Sequence, residues 1–176
     1  MSREGSSTYA QVQAQLEELV DSIAGANGFQ ISSRDPNFGK GSMAVWRRDR
    51  GWRKDELRLL FLWAGYLRSR GVSASLGTSI VLPDRSVSVD GYRTAWIARK
   101  SPDELTIRES DERAPAAVVG TLRSDVETSI AWLDRTYATP ASALERLRSE
   151  DRNGVGIGNR HYAAVVSYLE GLGSQA

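Results

Sequence analysis

The sequence predicts an α+β domain: an N-terminal helix, an antiparallel meander of about six strands, and C-terminal helices packed on one face of the sheet. Three observations carry that expectation. Apolar residues recur at three- and four-residue steps at both ends of the chain. The middle switches to short alternating runs rich in β-branched and aromatic residues. The connections between those runs are too short to hold crossover helices, so consecutive strands run antiparallel.

The first element is a helix over residues 7–26, with residues 1–6 expected to be disordered. Val12, Leu16, Leu19, Val20 and Ile23 share one face at helical spacing. "GANGF" ends it, because Gly25, Asn27 and Gly28 all tolerate a left-handed terminal residue. The sheet is expected over 28–110, in the runs "GFQISSR", "SMAVWRR", "ELRLLFLWA", "GVSASLGTSIVLP", "RSVSVDGYRTAWIAR" and "DELTIRE". Val72, Ala74 and Leu76 alternate onto one face, as do Thr94, Trp96 and Ala98.

The helical part is expected over 121–173. Ser124 and Glu127 form a capping-box pattern ahead of the stripe Val126, Ile130, Leu133 and Tyr137. Thr139 and Pro140 restart a helix as cap and first helical residue. Tyr162, Val165, Val166 and Leu169 mark a final helix ended by Gly171 and Gly173. No internal repeat or linker interrupts this order, so residues 1–176 are expected to form a single domain.

Composition narrows the chemistry. With 176 residues the chain can bury one sizeable core. It holds no cysteine, which removes disulfides and thiolate chemistry, and a single histidine, His161. No metal centre and no cofactor are expected from such a set. The net charge of +1 does not by itself imply nucleic acid. The first residues, "MSREGSSTYA", lack the apolar core of a signal peptide, and no run reaches membrane-spanning length. The expected location is the cytoplasm, with no membrane partner. Of 23 basic residues 20 are arginine, a bias expected of a GC-rich bacterial genome or, alternatively, of arginine selected for phosphate or carboxylate recognition.

Three stretches are candidate sites. In "DRNGVGIGNRH", Gly154, Gly156 and Gly158 precede Arg160 and His161. The spacing is neither a dinucleotide fingerprint nor a P-loop. What remains is an anion site at Gly156, Gly158, Arg160 and His161, made by free amides at a helix start. The plainer reading is a turn with close backbone packing. The second stretch, "VWRRDRGWRKDELR", interleaves Arg47, Arg48, Arg50, Arg53, Lys54 and Arg58 with Trp46 and Trp52. It is either a nucleic-acid platform or a solvated hairpin whose charges pair across the strands. Trp52, set among charges, is expected to be exposed, while Trp63, Trp96 and Trp132 fall in apolar segments and are expected in the core. The third stretch, "SPDELTIRESDER", carries Asp103, Glu104, Glu109, Asp111 and Glu112 on an expected edge strand and its loop, a docking surface for a basic partner. There is no G-x-S-x-G elbow, and no catalytic residue is assigned.

The order of pieces also resembles a known family. A helix ending in "NGFQ", then "MAVWRR", "LRLLFLW" and "GVSASLGTSIVLP", with the tail "AWLDRTYATPASALERL", resembles a bacterial family known only as domain of unknown function 4304. The resemblance spans most of the chain, rests on apolar patterns and brings no catalytic residues. By analogy of type, small cysteine-free α+β domains occur among bacterial immunity proteins. The expected function is a non-catalytic bacterial protein-interaction module, immunity- or antitoxin-like, with another protein as partner. Its interaction surface would use Arg48, Arg50, Trp52, Arg53, Asp103, Glu104 and Glu109. The alternatives are a small-ligand or anion-binding protein using 154–161 and a nucleic-acid-binding protein using 46–58.

Overall fold

The structure is a computed structural model that describes residues 5–38, 41–63, 69–90, 105–149 and 159–174. The elements in chain order are α1 (Gly5–Ala26), β1 (Gln30–Asp35), β2 (Gly41–Asp49), β3 (Arg53–Trp63), β4 (Ser69–Val81), β5 (Ser86–Asp90), β6 (Thr106–Arg108), α2 (Ala116–Thr136), α3 (Pro140–Arg148) and α4 (Asn159–Gly173). The α+β order and the antiparallel sheet are as the periodicity predicts.

Helix α1 begins at Gly5, two residues before the expected position and inside the stretch expected to be disordered. It ends as its glycines require. Gly28 sits at φ 79°, Phe29 N–H donates to Ala24 O, and Gly28 N–H donates to Gly25 O. That pair of bonds, with Phe29 buried behind it, is a Schellman ending. Val12, Leu16, Val20 and Ile23 then face the sheet as a buried stripe. Two side-chain bonds fix the helix over the first strands: Trp46 Nε1 donates to Asp21 Oδ1 at 2.7 Å, and Arg34 Nε to Glu17 Oε2 at 2.9 Å.

Strands β1 to β5 run as a meander, each antiparallel to the next. Strand β6 departs from it. It returns to pair with β4 at Ser69–Gly71, while β5 occupies the Thr78–Val81 end of that edge. The long β4 has room for both short strands. Alternation assigns one face to the core: Ala44 and Trp46, Leu57, Leu59 and Phe61, Val72, Ala74, Leu76 and Ile80, Val87 and Val89, and Ile107 are all buried. Helices α1 and α2 pack on that face. At the start of β2, a Cβ on Gly41 would lie 1.8 Å from Phe61 O, so only glycine lets the two strands close there.

The capping-box reading at Ser124 is corrected. Helix α2 starts at Ala116 after Pro115, and Ser124 lies about two turns inside it. Val118 and Leu122 extend the buried stripe backwards through Val126, Ile130 and Leu133, and that extra burial overrides a local cap. The next helix behaves as expected. Thr139 accepts from Ser142 N–H at 3.1 Å and Pro140 opens α3. Helices α3 and α4 pack on each other through Ala143, Leu147, Val165 and Leu169, and Tyr162 O–H donates to Leu147 O at 3.4 Å. The Thr94–Trp96–Ala98 run lies outside the described residues. Among the described residues, no helix is long and apolar enough to cross a membrane.

Candidate functional site

The basic hairpin is where sequence and structure diverge most. Strands β2 and β3 pair from Gly41↔Leu62 to Asp49↔Lys54, and Gly51 turns the chain at φ 76°. Alternation then divides one basic run between two faces. Arg48, Arg53 and Asp55 share the side of Trp46 and Leu57, while Arg47, Lys54, Glu56 and Arg58 take the other.

On the inner side the charges are buried and paired. Arg48 Nε donates to Asp55 Oδ2 at 2.9 Å. Its two terminal nitrogens hold Asp134 of α2 in a fork, at 3.0 and 2.6 Å, and Nη1 also donates to Asn27 O at 3.0 Å. Arg53 Nη2 donates to Asp134 Oδ1 at 2.8 Å and its Nη1 to Tyr137 O. Thr78 Oγ1 donates to Asp55 Oδ1 at 2.8 Å. The Arg48 guanidinium stacks 4.3 Å from the Phe29 ring centroid. Two guanidiniums and two carboxylates balance to zero, the condition under which such charges survive burial.

Arg48, Arg53 and Asp55 are almost fully buried, whereas the Asp134 side chain keeps 37% of its surface in water. Burial is the largest influence on the Asp134 carboxyl and pushes it up. The hydrogen bonds and charges of Arg48 and Arg53 together outweigh it and hold the group below the usual carboxylate range. Burial likewise lowers Arg53, against the pull of Asp55 and Asp134. A carboxylate held ionised and saturated with donors has no proton to give at neutral pH. The cluster acts as a clamp, tying the hairpin end to the C-terminal ends of α1 and α2.

Two of the residues expected on an interaction surface, Arg48 and Arg53, are thus core residues. Trp52 is corrected as well: it is half-buried against the core. With Arg50, Arg53, Asp134 and Tyr137 it lines a shallow pocket of about 420 Å³. The nucleic-acid reading loses two of its arginines, Arg48 and Arg53, to this packing.

On the outer side the charges of the hairpin end are open to water. Arg47 Nε donates to Glu56 Oε2 at 2.8 Å and Arg58 Nε to Glu56 Oε1 at 2.7 Å. These residues, with Lys54, Ser79 and Ser88, line a groove of about 440 Å³. Further along the same face the outward pair Met43↔Leu60 is half-buried, and Leu62 is exposed near Phe38 of the β1–β2 turn.

The other expected sites are scattered. Gly154, Gly156, Gly158, Asp103 and Glu104 lie outside the described residues. Arg160 and His161 fall in the first turn of α4, His161 half-buried. Glu109 is half-buried in the turn after β6, where Asp111 Oδ2 accepts from Arg108 N–H at 2.7 Å. Trp132 packs partly buried against the core. Among the described residues, no three His, Asp or Glu side chains are placed to hold a metal ion. Sequence reasoning missed Asp134. Its signal was its position four residues after Ile130, at the margin of the buried α2 stripe.

Fold and site together define an α+β domain whose sheet carries helices α1 and α2 on one face and partly exposed charges on the other, and is clamped by buried charges at one end. No family model, curated protein or solved structure matches the chain.

Proposed function

We propose that the protein is a non-catalytic interaction module of bacterial, immunity-like type that acts in the cytoplasm and docks another protein on the open face of its sheet. One observation carries the reading. Among the described residues, two of the three exposed large apolar side chains, Phe38 and Leu62, fall at the β1–β2 turn end of that face; the third, Ile31, pairs with Trp46 and so takes the inner side. Phe38 and Leu62 sit together, because Gly41 N–H donates to Phe38 O and Gly41 pairs with Leu62. Apolar side chains grouped on a rigid sheet and rimmed by charge are the usual composition of a docking patch.

The test is affinity capture from the native host with the unaltered protein and with Phe38→Ser combined with Leu62→Lys. Both sites are exposed, so the variant should keep its melting temperature within about 2 °C. A partner retained by the unaltered protein and lost by the variant supports the reading. Partners retained equally by both would sink it.

A second reading, small-ligand binding, has its own support in the pocket beside Trp52. Its size falls within the range of ligand sites and it offers an aromatic wall and Arg50.

A further inference from the structure

The groove at the hairpin end of the open face has a charge excess with a direction. Among the described residues three cations point outwards here, Arg47, Lys54 and Arg58, against two outward carboxylates, Glu56 on both arginines and Asp49 beside Lys54. Asp55, next in the chain, is turned through the sheet to the inner clamp. Asp49 reaches Lys54 only at 3.7 Å. Arg47 and Lys54 keep 62% and 54% of their side-chain surface in water.

We infer that this groove receives an acidic, extended segment of the partner protein, whose carboxylates engage Arg47 and Lys54. The inference rests on the interaction reading above and names the partner's chemistry at the basic end of the same face. The groove floor fits such a segment. It is made of Gly77, Ser79, Ser86 and Ser88, none longer than a hydroxymethyl group, so a peptide backbone can approach the sheet closely. The serine hydroxyls donate to the same carboxylates that the cations attract. The lining also argues against a nucleic acid strand. Single-strand binders add rings on which bases stack to a cationic groove, and the lining of this groove includes no aromatic residue. Of the tryptophans of the basic run, Trp46 is buried in the core and Trp52 is half-buried beside the pocket with Arg50.

The experiment titrates the full-length, ¹⁵N-labelled protein with oligoglutamate, with oligoglutamine of equal length and with oligothymidylate. Oligoglutamate should shift amides of β3, β4 and β5. Its affinity should fall about tenfold or more in Arg47→Gln combined with Lys54→Gln, and should weaken with salt. Melting of that variant should match the unaltered protein, since both residues are exposed. Equal binding of oligoglutamine, shifts elsewhere on the protein, or unchanged affinity in the variant would each overturn the inference. Tighter binding of oligothymidylate than of oligoglutamate would overturn it in favour of a nucleic acid. Capture separates this from the parent reading. A partner lost with Leu62→Lys but kept by the Arg47/Lys54 variant removes the acidic segment alone, whereas a partner lost with neither removes the interaction reading itself.

Discussion

Replacing Asp134 with alanine should reveal how far the buried charges hold the helices to the sheet. The substitution leaves the guanidiniums of Arg48 and Arg53 to share Asp55 alone, with three of their donated hydrogen bonds lost. Removing one partner of a buried ion pair costs about 3–5 kcal/mol. Asp134 is 37% exposed, so water can enter its place and hydrate the two cations. That brings the expected loss to the bottom of that range or below it, about 2–3 kcal/mol. For a chain of this size it corresponds to a fall in Tm of roughly 5–10 °C. Urea unfolding followed by tryptophan fluorescence, with calorimetry alongside, measures both. Asp134→Asn keeps an acceptor oxygen and should lose less than alanine. Formate or acetate should return part of the Asp134→Ala loss by filling the vacated position. A loss below about 0.5 kcal/mol, the range of ordinary surface changes, would refute the clamp.

Two further outcomes follow from the same geometry. Gly41→Ala should cost about 2–3 kcal/mol, because its methyl group would meet the Phe61 carbonyl 1.8 Å away and part β2 from β3; a Tm unchanged from the unaltered protein contradicts this. The folded Asp134 carboxyl lies below its unfolded value, so its contribution is complete above the ordinary carboxylate range and disappears as pH falls through the folded value. The stability difference between the unaltered protein and Asp134→Asn should therefore stay constant from neutrality to about pH 5 and shrink below about pH 4; shrinkage already at pH 6 would contradict the assignment.

The fold was legible wherever periodicity decided it. The steps through Val12, Leu16, Val20 and Ile23 required a helix. The alternation in β3 and β4 required strands, because only a strand sends Leu57, Leu59 and Phe61 to one side. Two features were not legible for the same reason. The start of α2 and the return of β6 to β4 both depend on burial by distant segments. Ser124 and Glu127 form a capping pattern that is locally valid, yet Val118 and Leu122 bury against the sheet and carry the helix past it. Nothing within "DELTIRE" states that its three-residue strand will share β4 with β5.

The site was half legible, and the reason is parity. Read as a string, residues 46–58 look like a single basic patch. Read as a hairpin, Trp46 and Leu57 mark the buried side, and the side chains two residues from each, Arg48 and Asp55, must follow them inwards as a pair. That step needs only the sequence. Asp134 needs the fold, because it arrives from 86 residues further along the chain. Its arrival gives the buried charges a consequence that an apolar core would lack. A one-residue slip of β2 and β3 would carry Arg47, Lys54 and Glu56 into the core and turn Arg48, Arg53 and Asp55 out to water. The slip would break the fork from Arg48 to Asp134 and the bond from Arg53, and would bury another set of charges, Arg58 included, in their place. The cluster therefore adds an electrostatic cost to the apolar cost of the slipped register. It also fixes which residues line the open face, so the outward placement of Arg47 and Lys54 depends on the inward pairing of Arg48 and Asp55.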